Sequence, residues 1–146
     1  MNRDVLTRWV AALRSGEYRQ GREHLRYEDE DGVVRHCCLG VLCELAVADG
    51  VVERAEPIKL WHQSVRGYAV PERATAETSV LPPAVCEWAG LPTDSPSVRH
   101  PSLGMIELTV LNDGRSPDGD LADDEVEFEP VSFEVIADLL ESGDPT

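Results

Sequence analysis

The chain has 146 residues, enough for one domain with a real hydrophobic core. Hydrophobic residues make up 42% and charged residues 28%, which excludes a disordered chain. The formal net charge of −15 argues against a nucleic-acid binder that relies on phosphate contacts, and against an anionic membrane surface as partner.

The first predicted element is a helix over residues 3–14. Asn2 is a good N-cap and Asp4 sits in the first turn. Val5, Trp9, Ala12 and Leu13 make its apolar stripe, widened by Leu6 and Val10. Asp4 and Arg8 are spaced to pair at i,i+4 on the wet side, and Ser15-Gly16 stops the helix. The N-terminus has no apolar h-region, so no signal peptide is expected. The expected compartment is a reducing bacterial cytosol, where disulfides are rare and four cysteines are thiols, ligands or a nucleophile.

Residues 24–37 read as a β-hairpin. His24 to Tyr27 and Val33 to His36 flank an acidic turn that ends in Asp31-Gly32, a strong reversal signal. The second strand runs into Cys38–Ala48, the most apolar run of the chain. Leu39, Leu42, Cys43 and Ala46 form one stripe, and Val41, Leu45 and Ala48 another. A helix apolar on nearly every face is buried, and this run is too short for a membrane span of about 20 residues. Gly50 suits the C′ position that ends it. Gly40, costly inside a helix, marks a close backbone approach, such as that of a neighbouring strand.

Residues 51–80 carry no clear period. Val51-Val52 suggests a short strand, 58–62 fits strand or helix, and 65–70 fits another short strand. Leu81 to Leu91 is a short helix with proline in its first turn and Gly90 at C′; Val85, Trp88 and Ala89 should face inward. Residues 92–102 hold three prolines and three serines and read as loop. Met105 to Leu111 fits both a strand and two helical turns, closed by Asn112-Asp113-Gly114. Residues 115–130 form an acidic stretch without a core pattern. Ser132 caps a last helix to about Glu141, with Phe133, Ile136, Ala137 and Leu140 on its buried face; residues 143–146 are expected to fray.

The charge is uneven. From Glu107 onward thirteen acids face only Arg115, which accounts for −12 of the −15. Lys59 is the only lysine beside twelve arginines, a bias of high-GC coding. Two islands stand out. One is Trp9-x-x-Ala12-Leu13-x-Ser15-Gly16-x-Tyr18-x-Gln20-Gly21, followed by Cys37-Cys38-Leu39-Gly40-Val41-Leu42-Cys43-x-Leu45-Ala46. The other is Leu111-Asn112-Asp113, followed by Ser132-Phe133-x-x-Ile136-Ala137-x-Leu139. They resemble a group of small proteins without assigned function from actinobacteria and their phages. In that group a Cys-x-Leu-Gly-x-Leu helix precedes an Asn-Asp turn and a terminal helix. The resemblance implies architecture and origin, and makes residues 115–130 an insertion.

Five functional readings compete with plain structural roles. Cys37 and Cys38 sit where a strand feeds a helix N-terminus, a place that can lower a thiol pKa. His24, His36, His62 and His100 are candidate bases, and Asn112 or Asp113 a candidate orienting group. Against this, free cysteine is usually a small core hydrophobe. Zinc on His36, Cys37, Cys38 and Cys43 is disfavoured, because Cys38 and Cys43 diverge by about 140° around a helix. Asn112-Asp113 is either a polar clasp beside Cys37 or ordinary turn chemistry, the commoner fate. Trp61-His62 and Trp88 could stack on a base or sugar, though lone tryptophans mostly pack in cores. The acidic stretch, with Asp120, Asp123, Asp124 and Glu125, is either a solvated loop or a clamp for a basic partner.

The expected fold is a single α+β domain over residues 1–142. A β-hairpin and short strands pack on a buried central helix, with N- and C-terminal helices flanking it. The expected function is non-enzymatic: a phage or prophage type of interaction module that binds a basic host or phage protein, or a small ligand. Asn112, Asp113 and Trp61 are its candidate contacts. No metal, cofactor, membrane or direct nucleic-acid partner is expected. The alternative is a cysteine-dependent hydrolase or transferase using Cys37 or Cys38 with His36 or His62.

Overall fold

The N-terminal helix forms where its cap and stripe place it. In the computed structural model, which describes residues 1–70, 75–114 and 129–146, α1 spans Arg3–Arg14. The Asn2 side chain accepts the backbone N–H groups of Asp4 and Val5, and Val5, Leu6, Trp9, Val10 and Leu13 are buried. Trp9 donates its indole N–H to the Cys38 carbonyl at 3.0 Å, so the largest core side chain keeps no polar atom unpaired. Arg8 does not take Asp4 as its partner. It forms a two-pronged pair with Asp49, both bonds 2.9 Å, and lies over the Trp88 ring. A bidentate carboxylate fixed at a helix end holds guanidinium better than a mobile neighbour one turn away.

Helix α2, Cys38–Ala48, is the central element. Its residues from Cys38 to Glu44 are all buried. A Cβ on Gly40 would lie 1.8 Å from the carbonyl oxygen of Leu25, the residue just ahead of strand β2, Arg26–Glu28. The glycine therefore marks the predicted close approach. The helix ends in a Schellman motif: Val51 donates to the Ala46 carbonyl and Gly50 to that of Val47, with Gly50 at φ +76°.

Strands gather beside α2. β1 is Arg19–Gln20 and β3 is Val34–His36; β4 is Glu53–Arg54, β5 Ile58–Leu60, β6 Gln63–Val65 and β7 Tyr68–Ala69. The five-stranded sheet runs β1-β3-β2-β6-β5, with only the β1–β3 pair parallel, and β4 pairs with β7 apart from it. The predicted hairpin is β2–β3, in register from Arg26 opposite His36 to Glu28 opposite Val34. Residues 58–62 are strand and turn, not helix, and the strand suggested at Val51-Val52 lies two residues later.

The C-terminal half packs on the other side of α2. Helix α3, Pro83–Ala89, ends at Gly90, with Leu91 donating to the Cys86 carbonyl as its signature predicts. The stretch 92–102 is not all loop: β8, Ser97–His100, pairs with β9, Gly104–Glu107. Met105 to Leu111 holds both predicted conformations in succession, because helix α4, Leu108–Asp113, starts directly after β9. Helix α5, Phe133–Ser142, is capped by Ser132 and packs along α1, where Arg14 reaches Asp138 and Glu141. The tail is tied down: Thr146 and Ser97 exchange two backbone hydrogen bonds of 2.8 and 2.9 Å, and Pro145 is buried. The tail expected to fray is ordered by that strand-like pairing with β8, a strand that the residue pattern does not predict. The buried side chains form one cluster, so the chain is a single small α+β domain. Among the described residues no helix is long and apolar enough to cross a membrane.

Candidate binding surface

The predicted thiol site lies inside the core. Cys37 is the N-cap residue of α2, and it is buried together with Cys38 and Cys43. Burial pushes the Cys37 thiol up to about 12, against weaker lowering by helix N–H groups. Cys38 and Cys43 are driven up by burial too. At neutral pH these groups are thiols, not thiolates. His36 does not serve them: its Nε2 lies 3.1 Å from Glu44 Oε1. Among the described residues no group of three or more His, Cys, Asp or Glu is placed to hold a metal ion.

Glu44, the one charge inside the apolar run, is the centre of a polar knot. Tyr68 donates its hydroxyl to Oε1 at 2.7 Å, and Arg54 donates to both oxygens. Burial alone would raise this carboxyl. The bonds from His36, Arg54 and Tyr68 outweigh it and hold the group well below the usual carboxylate range. Tyr18 meets His36 edge-on at 5.3 Å. A lone Glu in a buried helix was the signal that could have announced this knot, since such a charge must find partners.

Asn112 is a clasp, not a turn residue. It is fully buried. Its Oδ1 accepts the backbone N–H of Cys38 at 3.1 Å and the side chain of Gln20 at 3.2 Å. Its Nδ2 donates to the Gly21 carbonyl and to Asp113, both at 2.8 Å. Gln20 continues the chain of bonds to the Val131 carbonyl and the Phe133 N–H. Asp113 accepts the Glu23 N–H at 3.1 Å, and burial raises its carboxyl despite Asn112, Arg22 and His24. The turn role falls to Gly114 alone, at φ +77°. All these partners are internal, so Asn112 and Asp113 join β1, α2, α4 and α5.

A surface that is not spent on the fold lies at one end of the sheet. Strands β5 and β6 are joined by the two-residue turn Trp61-His62, since Leu60 pairs with Gln63. Trp61 is 100% exposed and adopts φ +47°. Such a turn ordinarily takes Gly or Asn at a left-handed position, and a bulky residue there is strained. Ile58 and Leu60, at 51% and 39% exposure, carry the apolar surface along the outermost strand. The reading that Trp61 packs in a core is therefore overturned; Trp9 has that role. The β2–β3 turn stands beside it, and His62 Nδ1 lies 3.1 Å from Glu30 Oε1. Asp29 pins that turn: its side chain accepts the N–H groups of Asp31 and Val33 and pairs with Arg35 at 2.8 Å. A cleft of about 530 Å³ opens between the two tips, lined by His24, Glu30, Leu60, Trp61 and His62. No contact joins His62 to the buried thiols. Asp120, Asp123, Asp124 and Glu125 lie outside the described residues.

Residues 1–144 match the family described as a domain of unknown function, DUF8296, and the chain belongs to that family. No curated protein and no solved structure matches it.

Proposed function

We propose that this member of the DUF8296 family is a non-enzymatic binding module. Its partner is a protein, and it engages that partner through the paired hairpin tips at Trp61. The observation that carries the reading is Trp61 itself. A tryptophan held wholly in solvent, at a backbone angle that disfavours it, contributes nothing to the core and costs conformational energy. Tryptophan is also the residue type most enriched among binding hot spots. Exposed Ile58 and Leu60 extend the contact along β5. The cysteine-dependent alternative loses support from the same geometry, because its thiols are enclosed and protonated.

The setting that fits is an actinobacterial cytosol, with a host or phage protein as partner. The arginine-dominated base content and the two sequence islands support it. The experiment is capture from an actinobacterial lysate with a photoreactive group at His62, on wild type and on Trp61→Gly. Glycine relieves the turn while deleting the indole. A protein crosslinked by wild type and lost on the folded variant supports the reading. The same protein captured equally by both contradicts it.

A further inference from the structure

The tryptophan tip does not stand alone; it stands among carboxylates. Glu28 ends β2, and Asp29, Glu30 and Asp31 follow on the β2–β3 turn, at the same end of the sheet as the Trp61-His62 turn. That juxtaposition follows from the register: Glu28 pairs with Ser64, next to Gln63 at the start of β6. The contact of His62 with Glu30 closes the remaining distance. Arg35 neutralises Asp29, and Lys59 is the base on the neighbouring strand. Glu28 and Glu30, which line the clefts, and Asp31 on the same turn remain as negative charges. A second cleft, about 590 Å³, runs between Glu28, Lys59, Trp61 and Ser64 and shares Glu30, Trp61 and His62 with the first. The indole thus lines two adjoining hollows, each bearing carboxylates.

An open indole face flanked by carboxylates is suited to a cation. The ring quadrupole attracts a guanidinium or ammonium, and the carboxylates accept its N–H groups. The apolar edge at Ile58 and Leu60 suits the methylene stem of the same side chain. An acidic ligand would meet like charge at the rim, which acts against wrong partners.

We infer that the paired tips recognise an arginine or lysine in an exposed basic segment of a partner protein, with Trp61 as the platform and Glu28, Glu30 and Asp31 as the charge. This rests on the binding-module reading and names the chemistry of its partner. The segment is basic because the carboxylates outnumber the bases at the tip, and because the whole chain carries −15.

The test pans a short random peptide display library over the full chain, in parallel with Trp61→Gly and with the triple variant Glu28→Gln, Glu30→Gln, Asp31→Asn. Wild type should enrich sequences with arginine or lysine, and their binding should weaken as salt rises. Trp61→Gly should weaken the enriched peptides by about tenfold or more, as loss of an aromatic anchor does. The triple variant should lose the preference for basic peptides and most of the salt dependence. Enrichment of apolar or acidic peptides that still need Trp61 would overturn the cation inference and leave the tip as a binding site. Equal enrichment on wild type and Trp61→Gly would overturn both.

Discussion

The side chain of Asn112 caps the N-terminus of the central helix from 74 residues away, accepting the backbone N–H of Cys38 at 3.1 Å. Cys37, the N-cap residue, makes no side-chain cap bond of its own. One of the first orphan donors of α2 is therefore satisfied only after α4 has docked. That couples the two halves of the chain through one amide. Asn112→Ala leaves the Cys38 N–H and the Gly21 carbonyl buried without their partner. The expected loss is about 3 kcal/mol in denaturant melts, the scale for stranded buried polar groups. A loss below about 1 kcal/mol would show that the clasp is incidental.

Gly40 and Gly50 should respond to alanine for different reasons and by different amounts. At Gly40 the new methyl meets the Leu25 backbone carbonyl at 1.8 Å, and neither helix nor strand can yield cheaply. The expected destabilisation is about 3 kcal/mol or more. At Gly50 a Cβ meets nothing within 4 Å and only the left-handed φ is strained. There the cost is about 1 kcal/mol. Equal losses at the two sites would contradict the packing of α2 against Leu25.

Glu44 predicts an acid limb of stability. Its folded carboxyl is held below its ordinary value of 4.5, so its contribution is fully present above that pH. It is lost as pH falls through 4.5 toward the folded value, where the carboxyl takes up a proton and the knot with Arg54 and Tyr68 weakens. Glu44→Gln should be less stable than wild type at pH 7, and the gap should be clearly smaller by about pH 3. Melts in parallel at the two pH values measure this. A gap constant with pH would mean that the carboxylate charge is not what holds the knot.

The thiols should be silent. Native protein treated with iodoacetamide near neutral pH should show no modification of Cys37, Cys38 or Cys43 by mass spectrometry. Half-buried Cys86, also pushed up by burial, should react slowly. All four should react after unfolding. Fast alkylation of Cys37 in the folded state would revive the nucleophile.

What could be read from the sequence was what has a period or a cap. Helices α1, α2 and α5 declare themselves through apolar stripes and through Asn2, Gly50 and Ser132. Strands of two to four residues carry no period, which is why β4 to β7 blurred and β8 passed as loop. In β8 only Val98 is fully buried, among Ser97, Arg99 and His100. Met105 to Leu111 was ambiguous for a real reason, since the chain changes conformation between Glu107 and Leu108. Asn112 was hidden by its residue type: turn formers on a surface and clasps in a core look alike until distant elements dock. Trp61 reads as a candidate contact, but its turn has neither Gly nor Asn. A strained, fully solvated indole can be seen only from the backbone angle and the exposure together.

The central claim is that Trp61 is not part of what holds the fold together. The direct measurement is the unfolding free energy of Trp61→Gly against wild type. Glycine takes φ +47° without strain, and the deleted ring covers nothing. The expected result is equal stability, or a gain of up to about 1 kcal/mol from the relieved turn. A loss of about 2 kcal/mol would contradict the account, because the indole would then be a packing residue and the tip would not be a surface kept for a partner.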